Sequence, residues 1–219
     1  MMHMEKLETI TEQIHINFDI RTKARDQALK QARMLTRYCA NAIRAVHRDE
    51  SALAQDKLAN AEDLVNSLKQ NLVDHPDMYF AGYTQDAMKE YAEASITFAL
   101  INNQALPSPE SLGIEPNTYL KGLAEAAGEL RRKCLDILRH GHSVEAEKLL
   151  IHMDDIYAVL VTIDYPDAIT GGLRRLTDVV RGVTERTRGD LTLSLRQERL
   201  EKRLQGLETL ILDENKLKK

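Results

Sequence analysis

The chain has no tryptophan, three phenylalanines and seven tyrosines, and among its 219 residues only five prolines and ten glycines. So few turn-formers exclude a β-sandwich or a turn-rich repeat, and the abundance of Ala, Leu, Glu, Lys, Arg and Gln is the composition of a long-helix protein. An all-α fold is expected. The two cysteines, Cys39 and Cys134, match no zinc spacing and cannot form a disulfide framework, which points to a reducing cytoplasm. No apolar run approaches the roughly 20 residues needed to span a bilayer, and the opening "MMHMEKLETI" lacks the form of a signal peptide. The expectation is a soluble protein with no membrane partner. Phosphate-loop and dinucleotide fingerprints are absent, as is any readable Ser-His-Asp arrangement.

What is present begins with segregated charge. The formal net charge is −4, yet Arg21, Lys23, Arg25, Lys30, Arg33, Arg37, Arg44 and Arg48 crowd one segment against the single acid Asp26. In the same segment Ala28, Ala32, Leu35, Cys39, Ala42 and Val46 recur at alternating steps of four and three. That is a helical seam of small side chains, with the cations on a face away from it.

Beyond a break at Asp49-Glu50-Ser51, a second helix is expected to Val73, with Ala61, Leu64, Leu68 and Leu72 inward. A connector over 74–83 precedes a third helix, capped by Thr84 and reaching Asn103. The proline-rich loop 106–116 leads to a fourth helix from Asn117 to Arg139, stopped by Gly141. Ser143 opens a fifth, whose end "IYAVLVTIDY" reads as buried helix because no second strand is available to pair with it. After Tyr165-Pro166-Asp167 the helical pattern resumes to Leu207, interrupted at Gly171-Gly172 and Gly189, with a frayed tail over 208–219. Six or seven antiparallel helices in one domain, residues 1–219, is the simplest architecture.

Two acidic pairs stand out. Glu90 and Glu93 lie three apart in "MKEYAEASITFAL", and Glu125 and Glu129 four apart in "YLKGLAEAAGELRRKCL", each pair on one helix face. Gly122 and Gly128 in the second helix suggest close approach of a neighbour. If the two helices pack antiparallel, four carboxylates converge. Buried together they would repel one another and call for a cation, and oxygen-only donors favour Mg2+ or Mn2+ over zinc. Such a site suits phosphodiester hydrolysis. The plainer alternative is that each pair faces water, with Arg131, Arg132 and Lys133 neutralising Glu129 locally and the basic stripe simply solvated. A ferritin-like di-metal bundle would need two Glu-x-x-His motifs, and only Glu12-Gln13-Ile14-His15 is present. His140 and His142 flank a glycine at a helix end, where a cap or surface role suffices.

The stretch "TYLKGLAEAAGELRRKCLDIL" is similar to the signature helix of the translin family. "KEYAEASITF" resembles the Glu-x-x-Glu helix of its translin-associated factor X branch, and "ARMLTRYCANAIRAVHR" the family's basic first helix. The resemblance spans most of the chain in the same order. It implies a seven-helix subunit assembling into a hollow octamer that binds RNA or single-stranded DNA inside and, in that branch, cuts RNA with Mg2+ as a metal-dependent endoribonuclease. The branch's catalytic acids match Glu90, Glu93 and Glu125, with Glu129 in the same motif as a ligand or outer-shell residue. The backbone contacts would fall to Lys30, Arg33, Arg37, Arg44 and Arg48. Two departures are the glutamate at 125, where eukaryotic catalytic subunits carry aspartate, and Ala126-Ala127 in place of Leu-Thr. The alternative the family offers is nucleic-acid binding without cleavage.

Overall fold

A computed structural model describes residues 2–141 and 143–217, with the side chains of 6–141 and 144–211. Among the described residues there are no strands and nine helices: α1 (Met2–His47), α2 (Ser51–Asn71), α3 (Pro76–Tyr79), α4 (Gly82–Ile101), α5 (Pro109–Leu112), α6 (Pro116–Leu138), α7 (Ser143–Val161), α8 (Asp167–Thr170) and α9 (Leu173–Leu217). The all-α expectation holds. Among the described residues no helix is long and apolar enough to cross a membrane. The helices group into two compact units, 1–123 and 124–219.

In the first unit α1 packs on α2 and α4. The small-residue seam is where its spacing placed it: Ala28, Ala32, Leu35, Cys39, Ala42 and Val46 are all at most 5% exposed. Alanines at these steps let the α2 and α4 backbones come near, and each methyl or branched side chain removed from water adds to a continuous core. Asp49 takes φ of 59°, so the chain reverses there and α2 returns antiparallel, with Gln31 donating to Ser67 at 2.6 Å and Asn71 to Gln31 at 3.1 Å. Ala45, Val46, Ala54 and Phe98 close the far end. α4 begins at Gly82, two residues before the expected cap. Thr84 therefore sits inside the first turn, and its hydroxyl donates to the Met78 carbonyl at 2.8 Å instead of capping.

The second unit pairs α7 with α9. Arg188 donates to Asp154, and within the same unit Arg131 on α6 donates to Thr187 at 3.0 Å and pairs with Asp190 at 2.9 Å. Gly141, at φ of 80°, supplies the left-handed residue expected after α6. The "IYAVLVTIDY" stretch is helix as far as Val161, but only one side of it is buried: Ile156 and Leu160 are covered, whereas Val159 and Val161 are about half exposed. Gly171 and Gly172 do interrupt the chain, both at positive φ. Gly189 does not. It lies inside α9, which also continues past the expected end at Leu207 to Leu217.

Candidate metal centre

The site is built on the most enclosed helix of the first unit. From Tyr91 to Leu100 every residue of α4 is buried, and Glu93, at 9% exposure, is the one ionisable carboxyl among them. Glu90, one turn earlier, is half-buried, with its Oε1 3.2 Å from the ammonium of Lys89. A carboxylate enclosed like Glu93 pays a desolvation cost that only hydrogen bonds or a nearby cation offset.

Gly122 brings α6 to this surface. A Cβ built on it would stand 2.5 Å from the Ala92 Cβ, 2.8 Å from the Lys89 carbonyl oxygen and 2.9 Å from the Glu93 amide nitrogen. No side chain fits there, so glycine is what permits the approach. The contact also fixes direction. Thr118 donates to Gln85 at 2.6 Å, and one turn further on in both helices Gly122 meets Lys89, Ala92 and Glu93, so α4 and α6 run the same way. The expected antiparallel packing of the acidic helices is thus corrected: the connector over 102–115 carries the chain back to the start of α4 before α6 begins.

Glu125 follows Gly122 by three residues, on the same face of an uninterrupted helix. One oxygen each from Glu90, Glu93 and Glu125 lie within 4.8 Å of one another. Oxygens bound to a single Mg2+ at about 2.1 Å are at most about 4.2 Å apart, so a small side-chain rotation suffices to share one ion. The donors are all carboxylate oxygens, the set a hard divalent cation takes. Among the described residues no other group of three acids, histidines or cysteines is so disposed.

Glu129, one turn beyond Glu125, is outside this trio and lies 3.7 Å from Arg132. Gly128 has nothing within 4 Å of where a Cβ would be, so only one of the two glycines marks a close approach. Of the three cations after Glu129, Arg132 does approach it, whereas Arg131 is turned to Thr187 and Asp190. Glu12 and His15 are exposed and His140 is exposed, while His142 lies outside the described residues.

Two neighbours of the trio escaped the sequence reading. Cys39, read only as a seam residue, has its thiol pushed far up by burial and then by the charges of Glu90 and Glu93, which sets it beside the acids. Lys89 is the other; its adjacency to Glu90 was plain in the sequence, but the direction of its ammonium was not. Tyr91, on another side of α4, is raised to about 12 by burial first and by the Glu62 charge second.

The basic stripe takes its expected position. Lys30, Arg33, Arg37 and Arg44 are exposed on α1 and Arg48 is exposed just past its end, and among the described residues none of them makes an ion pair; Arg44 donates only to Asn41, at 3.5 Å. By contrast Arg21 pairs with Asp77 and Arg25 with Asp26.

No family model matches the chain. An uncharacterized protein of Methanocaldococcus jannaschii is 31% identical over 186 residues, 84% of this chain and 82% of that protein. AfC3PO, solved alone and in complex with duplex RNA, has a TM-score of 0.80 and 31% identity, with 86% of this chain covered and 98% and 97% of the two solved chains. Apo-NeC3PO, at 20% identity, has a TM-score of 0.77 with 84% of this chain and 96% of that one covered, and shares the fold. The fold is thus that of the C3PO class of helical proteins. Within that class this chain belongs to the translin family, in the branch of translin-associated factor X.

Proposed function

We propose that the protein is a metal-dependent endoribonuclease that binds RNA and cleaves its backbone by hydrolysis inside a homo-oligomer. The observation that carries this is the convergence of Glu90, Glu93 and Glu125 to within 4.8 Å. The likeness to AfC3PO, which has been solved with duplex RNA, supports RNA as the ligand. Glu90, Glu93 and Glu125 would hold Mg2+ or Mn2+, with Glu129 orienting groups just outside. A divalent ion held there supplies polarisation of a phosphoryl oxygen and a lowered pKa for bound water. The residues themselves contribute position and proton acceptance: Glu93, fixed by its enclosure, sets the floor of the site, and the more exposed Glu90 and Glu125 face the substrate side. Lys30, Arg33, Arg37, Arg44 and Arg48 would bind phosphates without reading bases, which makes affinity fall steeply with salt. Exposed apolar residues of α1, among them Leu7, Ile10, Ile14 and Phe18 at 46–61% exposure, support self-association, and the family resemblance supports an octamer as its form.

Labelled RNA incubated with Mg2+ tests the reading. Cleavage is expected in wild type, lost in Glu93→Gln by at least about a hundredfold and abolished by excess chelator. Cutting that survives either treatment removes the mechanism.

A second reading, binding of RNA or single-stranded DNA without cleavage, is favoured by the pairs Lys89–Glu90 and Arg132–Glu129, which partly balance the acids without any metal. RNA retained at low salt yet intact after long incubation with Mn2+ would establish it.

A further inference from the structure

We propose that Lys89 is a built-in counter-ion of the acidic trio, one that a divalent ion has to displace, so that it sets how much metal is needed to fill the centre. This rests on the metal-centre reading above. Lysine side chains are mostly exposed, yet that of Lys89 is only 17% exposed, less than the 30% of the Glu90 it pairs with at 3.2 Å. Its backbone is held as well: the Lys89 carbonyl oxygen lies 2.8 Å from where a Cβ on Gly122 would be. The contact that delivers Glu125 to the trio therefore also anchors the base of Lys89.

The electrostatics give the sign. Three carboxylates within 4.8 Å repel one another, and an ammonium on one of them lowers that repulsion while no metal is bound. A dication entering the same space meets the ammonium as a like charge and must take over its share of Glu90. Lys89 thus stabilises the ion-free chain and opposes ion binding, and the centre fills only above a threshold concentration of divalent metal. If Lys89 served instead to orient Glu90 toward the ion, its removal would weaken binding, the opposite result.

The test is Mn2+ binding to the full chain without RNA, followed by the paramagnetic resonance of free Mn2+, at a pH well above the carboxylate range. Lys89→Met, which keeps the stem and removes the charge, is expected to bind about tenfold more tightly, and Lys89→Arg to stay close to wild type. Lys89→Gln gives the same comparison should the methionine variant not fold. Both neutral variants are expected to melt below wild type without Mn2+ and to recover with it. Unchanged or weaker Mn2+ binding in folded Lys89→Met and Lys89→Gln overturns the inference while leaving the centre standing, provided that Glu93→Gln has lost the ion. Mn2+ binding that is absent from wild type, or equal in Glu93→Gln, overturns the centre and the inference with it.

Discussion

At the scale of single residues, burial governs the two thiols and makes one of them a measurable alkaline sensor. Cys134 is fully buried, with its Sγ 3.8 Å from the Ala146 carbonyl oxygen. Burial raises its pKa from 9.0 to about 11, against the lowering effect of Arg131. The folded chain then holds that proton more tightly than the unfolded one, so this contribution to stability is whole below pH 9.0, declines as pH rises through the interval and is gone above about 11. The expected outcome is a Cys134→Ala chain whose urea midpoint falls less than wild type over that interval. Equal slopes would show that the thiol stays protonated in both states or in neither. Such a residue was legible in the sequence only as a cysteine of the fourth helix without a zinc or disulfide partner. Its neighbour Arg131 stands three residues earlier on the same helix, but Asp190 comes from α9, and no local spacing announces it.

At the scale of elements, one glycine decides the spacing of two helices. Gly122→Ala drives a methyl into Ala92, the Lys89 carbonyl and the Glu93 amide, and two of these three are backbone that cannot swing aside. Overpacking of this kind costs about 1–3 kcal/mol, and here it also pushes Glu125 away from its partners. A lower melting temperature is expected, with at least about a tenfold loss of Mn2+ affinity, and partial rescue by adding Ala92→Gly, which removes the nearest of the three contacts. Mn2+ affinity that survives the single substitution would detach Glu125 from the centre.

Helical periodicity carried much at this scale. It located the α1 seam, the reversal at Asp49 and both acid-bearing helices, because burial on one face leaves a mark every three or four residues. It missed what lacks such a mark. Residues 6–20 of α1 are exposed on every side, so the apolar row Leu7, Ile10, Ile14 and Phe18, although at helical spacing, marks no contact within the chain. Gly189 was read as a break from residue type alone, although a helix interior tolerates glycine at about 1 kcal/mol. The direction of α6 relative to α4 depends on a connector without periodicity. Neither the position of Glu129 outside the trio nor the open space around Gly128 is revealed by spacing.

At the scale of the whole molecule, charge and apolar surface are unevenly placed. α1 leaves Leu7, Ile10, Ile14, Ile16, Phe18 and Ile20 exposed, and α9 leaves Leu193, Leu200, Leu204, Leu207, Leu210 and Ile211 exposed. Rows of this kind exceed the scattered apolar residues of an ordinary surface and are candidate interaction surfaces. If copies of the chain cover the α1 row, Ile10→Glu with Ile14→Glu is expected to shift sedimentation to smaller species while leaving the helical circular dichroism of the subunit intact. A wild-type chain that sediments as a monomer, or a variant that keeps the full assembly, would show that the row serves something else.

The same-way course of α4 and α6 has a bearing on which parts of the chain are free to change in length. Register between the acids is set where Gly122 seats, downstream of the connector over 102–115. Extra residues in that connector add only a slowly growing closure entropy. A single residue inserted between Gly122 and Glu125 turns the carboxylate about 100° around the helix and empties one corner of the triangle. Insertions and deletions among relatives are therefore expected to gather in the connector and to spare the two positions between glycine and acid.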